Sequence, residues 1–277
     1  YIIGKWEFMN LEFKVGEGVL IPREDTQTLV DECLNKILSK RNPRILDLCA
    51  GSGAVGISIA TKRLDSRVTC VEYSDKALGF LIENIKSNEV KNVEWLKGNV
   101  FYDLPELEGK TFDAIVSNPP YIKTDDIKDL PIEVQNEPQM ALDGGKDGLD
   151  FYRAITNKWL KHLNIGGSLS VEIGMGQESD VMEIFENAKL SDIINKLICG
   201  DAGIGRQASL RCLCQYWRVG SSPISRTSVK DIRFSSVLYF YISANQQSII
   251  IEKSTLESHE IFDFVEAELV PQSDRQA

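Results

Sequence analysis

Two stretches carry side chains whose types and spacing could do chemistry. The first is Ser117-Asn118-Pro119-Pro120-Tyr121. Each proline fixes φ at about −65° and lacks an N–H, and Pro120 also holds Pro119 in extended geometry. The result is a stiff, open corner whose carbonyls no helix consumes. One amide (Asn118), one free carbonyl (Pro119) and one ring (Tyr121) on such a corner could grip a small planar polar group. An isolated Asn-Pro-Pro is equally a plain proline-rich turn, so upstream residues have to decide.

The second stretch is Asp47 followed by Gly51-x-Gly53-x-x-Gly56, with Glu72 about twenty residues further on. As written this matches a dinucleotide fingerprint. In the nicotinamide form, however, the turn receives a pyrophosphate at a helix N-terminus, and a carboxylate at Asp47 is a poor neighbour for one. Asp47 suits a ligand carrying positive charge, such as an amino acid ammonium or a sulfonium. Glu72 can accept from two ribose hydroxyls in either case. Adenosine plus a cationic amino acid moiety is S-adenosylmethionine, which Asp47 favours over a nicotinamide cofactor.

The elements around these residues alternate. Arg44–Cys49, Arg67–Glu72, Val93–Leu96, Phe112–Val116 and Ser168–Ile173 read as strands, with helices ending at Lys62, following Ser74, through Tyr152, Ile155, Trp159 and Leu163, and through Val181 to Ala188. An earlier helix carries Leu29, Val30, Cys33, Leu34, Ile37 and Leu38 on one face, with Asp25 or Thr26 as its cap. Before it, Gly16 and Gly18 suggest a hairpin. The spacing predicts an α/β fold with a doubly wound, mostly parallel sheet. Ligands bind such sheets in the crevice beyond the strands' carboxyl ends, so Asp47, Glu72 and Asn118 should face one crevice. The domain reading is a hairpin and helix over residues 1–40, a catalytic domain over 41–206, and a segment over 207–277. That last segment is β-rich (Ile232–Ile242, Ser248–Ile251), acidic at its end and without a motif.

Composition narrows the partners. The chain of 277 residues is 43% hydrophobic and 26% charged, with a formal net charge of −10. A protein that neutralises phosphates usually carries a basic excess, so direct nucleic-acid binding is not expected. No apolar run approaches the ~20 residues of a membrane helix. The six cysteines are scattered, only Cys212 and Cys214 are close, and there are two histidines, so no metal site is expected. Thiols in a reducing cytoplasm are the simpler account.

Residues 1 to about 206 resemble the catalytic domain of the HemK-type family, the N5-glutamine methyltransferases of peptide-chain release factors. The resemblance rests on Ile21-Pro22-Arg23, Asp47 through Gly53, Glu72 and Asn118-Pro119-Pro120-Tyr121. It continues through Glu137-Pro138, Ala141-Leu142, Gly144-Gly145, Asp147-Gly148-Leu149, Tyr152-Arg153 and Glu172-Ile173-Gly174 with Gln177, and ends in a weaker echo at Gly203-Ile204-x-Arg206. Asn-Pro-Pro-Tyr alone is shared with DNA adenine and some RNA and protein methyltransferases; the stretch from Glu137 to Leu149 is more specific.

The resemblance implies a Rossmann-like, class I, S-adenosylmethionine-dependent methyltransferase acting on a glutamine of a Gly-Gly-Gln loop in a release factor. It implies cofactor contacts from Asp47, Cys49, Gly51, Gly53, Glu72, Asn99 and Asn118. It places substrate contacts at Arg23, Asn118, Pro119, Pro120 and Tyr121, with Asn118 and Pro119 accepting the two amide N–H bonds and Tyr121 packed on the amide plane. Gln27 and Asn99 depart from the family's usual glutamate and aspartate. Since the chain begins with Tyr1 and no helical N-terminal domain is read, the natural N-terminus is expected to be missing. The rivals are an exocyclic-amine nucleic-acid methyltransferase, a cofactor-binding module without chemistry, and a nicotinamide dehydrogenase.

Overall fold

The computed structural model describes residues 3–188 and, beyond them, two strands at Ser191–Cys199 and Phe234–Tyr241. The rest of 207–277, including Cys212 and Cys214, lies outside the described residues. Strands β3 (Arg44–Leu48), β4 (Arg67–Glu72), β5 (Val93–Lys97), β6 (Phe112–Ser117) and β7 (Leu163–Ile173) form a parallel sheet in the order β5-β4-β3-β6-β7. The sheet continues through β9 (Phe234–Tyr241), antiparallel to β7, to β8 (Ser191–Cys199). A strand of the motif-free segment thus takes a place in the sheet.

Helices pack on both faces of the sheet, so the central strands are buried on both sides. Ile45, Ala114 and Val116 face one core, which also holds Leu29, Val30 and Cys33 of α1 (Gln27–Lys36), most of α2 (Ala54–Lys62), and Leu78 and Leu81 of α3 (Asp75–Ser87). Leu46, Leu48 and Ile115, one residue out of phase, face a second core with Tyr152, Trp159, Val181 and Phe185. Leu38, expected on the apolar face of α1, is exposed because the helix has already ended. Ser74 caps α3 as expected, its Oγ accepting from the Ala77 amide.

Three local expectations need correction. The N-terminal hairpin of β1 (Lys5–Phe8) and β2 (Leu11–Lys14) turns at Met9 and Asn10, both at positive φ (54° and 64°), rather than at Gly16 and Gly18. Such a two-residue turn matches the strands' twist, and Asn tolerates the left-handed region better than most residues. Thr26 does not cap α1; its hydroxyl is used elsewhere. The single helix read from Tyr152 to Leu163, which follows the short α4 (Ile132–Gln135), is α5 (Asp150–Ala154), one wide π turn (Ile155–Trp159) and a 3₁₀ turn (Leu160–His162), with Leu163 already in β7. There Trp159 is buried and its Nε1 donates to the Val100 carbonyl, 2.7 Å away.

The topology decides where a ligand can sit. From β3 the chain winds outward to β4 and β5 on one side, then returns to β6 and β7 on the other. The carboxyl ends of β3 and β6 therefore border the crevice of a topological switch point.

Candidate active site

Asp47 sits within the end of β3 and is 1% exposed. Its Oδ2 accepts from the Gly56 amide at 2.9 Å. Burial pushes this carboxyl up to about 7, the Gly56 bond pulls against that, and the nearby Glu72 charge adds to the rise. A Cβ on Gly56 would stand 2.5 Å from the Cys70 Sγ and 2.9 Å from the Asp47 Oδ2, so only glycine lets α2 come this close. Gly53 begins α2 at φ 84°, where a Cβ would also strike Leu81 at 2.3 Å. Cys49 leaves β3 at φ 60°, an unusual conformation for a residue other than glycine. Burial holds its thiol far above the ordinary range, so it stays protonated.

Glu72 ends β4 and uses both oxygens on backbone: Gly51 N donates to Oε2 and Ser74 N to Oε1, each at 2.7 Å. The carboxylate thus ties the glycine turn to the start of α3, and its burial raises its pKa. Asn99, after β5, accepts from the Phe101 amide at 3.0 Å, and Phe101 meets Phe151 edge-on with centroids 4.9 Å apart.

These residues surround a cavity of about 470 Å³, within the range of small-molecule sites. Asp47, Cys49, Gly51, Glu72, Asn99, Asn118 and Pro120 all line it. The expected convergence of strands β3, β4 and β6 on one crevice is therefore seen. Gly53, Pro119, Tyr121 and Arg23 do not line it. Gly53 shapes the turn behind the wall.

At the Asn-Pro-Pro-Tyr corner, the Asn118 Nδ2 donates to the Thr26 Oγ1 at 3.1 Å. Thr26 in turn donates to the Glu172 Oε2 at 2.7 Å, and the Tyr121 hydroxyl donates to the Glu172 Oε1 at 3.3 Å. Glu172 is 1% exposed, and burial pushes it up to about 7 against the bond from Thr26. The Asn118 Oδ1 and the Pro119 carbonyl accept no hydrogen bond among the described residues. Both acceptors of the corner are therefore available.

Arg23 pairs with the buried Glu137 of the 122–148 loop. That loop is also closed at its base, where Ile122 N donates to Leu142 O and Gly144 N to Ile122 O. Gln177 bridges its two ends, donating to the Tyr121 and Gly148 carbonyls. Of the aromatics, Phe101 is a cavity wall, Trp159 is core, and Tyr102 is an exposed surface ring. Two residues of the corner were missed as site residues. Thr26 reads locally as a cap, but Glu172 was within reach: it is a carboxylate near a strand's end, like Asp47.

Residues 25–132 match the methyltransferase small domain family. The release factor glutamine methyltransferase of Clostridium botulinum is 41% identical over 196 residues, covering 70% of this chain and 69% of that protein. The chain belongs to the release factor glutamine methyltransferase family. The corresponding protein of Thermodesulfovibrio yellowstonii is 43% identical over 187 residues (66% of each chain), and that of Fusobacterium nucleatum 43% over 188 (68% of this chain, 52% of that one). The chain spans about half to two thirds of the length of the family members it matches.

Among solved structures, the hMettl16 catalytic domain in complex with MAT2A 3′UTR hairpin 1 has a TM-score of 0.61 at 10% identity, covering 84% of this chain and 76% of that one. A methyltransferase from Pyrococcus furiosus has a TM-score of 0.54 at 19% identity, covering 84% and 89%. Both are likenesses of fold, and with the sheet order they establish the Rossmann-like class I methyltransferase architecture.

Proposed function

We propose that the protein transfers a methyl group from S-adenosylmethionine to the side-chain amide nitrogen of a glutamine in the Gly-Gly-Gln loop of a peptide-chain release factor, in the cytoplasm. The observation that carries this reading is a rigid corner with two unused acceptors, Asn118 Oδ1 and Pro119 O, next to a cavity walled by two buried carboxylates. The names of the relatives supply the substrate class.

The residues present fit the methyl donor. Asp47 offers a counter-charge to a cationic amino acid moiety, Glu72 has lone pairs left for ribose hydroxyls, and Asn99 with Phe101 offers a wall for a flat base. When bound, S-adenosylmethionine supplies an electrophilic methyl group on a sulfonium. An amide nitrogen is a weak nucleophile because its lone pair is delocalised into the carbonyl. Asn118 Oδ1 and Pro119 O would accept its two N–H bonds and so fix the nitrogen's orientation. Orientation of this kind recovers up to about 7–11 kcal/mol of a barrier. No strong base is required before transfer. Tyr121 holds the corner from behind through Glu172, and its ring is the surface proposed to pack on the amide plane.

The test is methyl incorporation from labelled donor into a release factor, a ribosomal protein uL3 and an adenine-containing oligonucleotide side by side. Label in the release factor, lost when the Gly-Gly-Gln glutamine becomes alanine, supports the reading. A second reading, the same chemistry on uL3, is favoured by the uL3 glutamine methyltransferase of Francisella tularensis, 36% identical over 180 residues. Label in the oligonucleotide alone overturns both.

A further inference from the structure

We propose that Thr26 and Glu172 are positioning residues that lock the Asn118 side-chain amide with its oxygen as the free, accepting end. The inference rests on the reading of Asn118 as an acceptor for a substrate N–H. An asparagine amide is nearly symmetric in shape, and either end can take either position unless its partners discriminate. With the opposite orientation, Asn118 would present an NH2 group to the substrate amide and repel it.

The discrimination starts at Glu172. This carboxylate is 1% exposed and, when charged, can only accept. Thr26 has one hydroxyl proton, and it goes to the Glu172 Oε2 at 2.7 Å. The side of the Thr26 oxygen facing Asn118 is left with lone pairs alone. Only the Nδ2 end of Asn118 can meet them, as it does at 3.1 Å. The Tyr121 hydroxyl occupies the other carboxylate oxygen, so Glu172 has donors on both oxygens. Above about pH 7, where Glu172 is ionised, its acceptor-only character is thus passed through one hydroxyl to set which end of Asn118 stays unpaired.

The chain of contacts joins three distant parts of the sequence: the approach to α1, the end of β6 and the end of β7. Thr26→Val keeps the shape and removes the lone pairs. Thr26→Ser keeps them and removes only a methyl. Glu172→Gln adds a donor where the lock needs an acceptor.

The experiment measures single-turnover transfer to a Gly-Gly-Gln peptide and calorimetric affinity for S-adenosylmethionine in the parent and these variants. In parallel, the Asn118 amide protons of 15N-asparagine-labelled protein, assigned by their loss in Asn118→Ala, are followed for contacts to Thr26. The expected result is a roughly ten- to hundredfold loss of transfer rate for Thr26→Val and Glu172→Gln. Donor affinity should stay within about threefold of the parent, Thr26→Ser should restore most of the rate, and the amide-to-Thr26 contact should weaken in Glu172→Gln. Parental rates in Thr26→Val, or equal loss in Thr26→Ser and Thr26→Val, overturn the lock. Should the parent transfer no methyl, the proposed function falls, and the lock is then decided by the amide contact: unchanged in Glu172→Gln, it is refuted.

Discussion

Removing the Asn118 amide takes one of two acceptors from the corner and leaves the other without its partner. Asn118→Ala should cost several kcal/mol in transfer, since an unpaired donor is worth about 1–3 kcal/mol and misalignment adds to it. Donor affinity should stay near normal; single-turnover rates with calorimetry check this, and an unchanged rate would remove Asn118 from the mechanism. Asp47 makes a separate prediction. Buried and raised to about 7, it is largely protonated in slightly acidic solution. A cationic donor favours its ionised form, so binding should release a proton and strengthen as pH rises through 7, by up to about tenfold per unit below it. Asp47→Asn should weaken binding and flatten that dependence. Calorimetry in buffers of different ionisation enthalpy reads both, and zero proton release would show that Asp47 does not meet the cation. These strand-end residues were legible because a polar side chain closing an apolar run marks the crevice of this sheet. The bond between Thr26 and Glu172, 146 residues apart, was not, because nothing local announces a partner at that distance.

Among the elements, the 122–148 loop is tied down by Gln177, by its own closed base and by Arg23. It follows the corner that ends at Tyr121, passes the cavity with Pro138, Met140 and Ala141, and returns to α5. Arg23 holds it through the buried Glu137, whose pKa burial raises and Arg23 pulls back. Arg23→Ala leaves Glu137 without its cation. The Arg23 side chain is 41% exposed, so water offsets part of the loss, and about 1–2 kcal/mol is expected rather than the cost of a fully buried pair. Limited proteolysis should then cut the loop faster than in the parent; equal rates would mean that Arg23 does not anchor it. Glu137 reads equally well as a solvated loop charge from its neighbours, and its partner Arg23 lies 114 residues away in the sequence. The strands and α3 were legible because alternation and helical spacing are local. The π turn at Ile155–Trp159 was not, because the widening only moves the same apolar residues along.

At the scale of the whole molecule, two buried carboxylates set a pH dependence of stability. Asp47 and Glu172 rise from ordinary values of 3.8 and 4.5 to about 7 in the folded state. The folded protein therefore holds protons that the unfolded chain releases near pH 4. Their stabilising contribution is complete below that pH and is lost as pH rises through 7. Thermal unfolding without donor should occur several degrees higher at pH 5.5 than at pH 8, with Asp47→Asn narrowing the gap; a gap of the opposite sign contradicts the assignment. The doubly wound sheet was legible from strand–helix alternation, whereas the antiparallel place of Phe234–Tyr241 was not, since no local pattern names the strand it pairs with. The central claim is that a stiff corner presents the glutamine amide to the methyl donor. Its most direct test is tandem mass spectrometry of a release factor incubated with S-adenosylmethionine and either the parent protein or Asn118→Ala. The account predicts one methyl on the Gly-Gly-Gln glutamine with the parent and a strongly reduced yield with the variant at equal donor occupancy. An unmodified glutamine with the parent, or equal modification by both proteins, would contradict it.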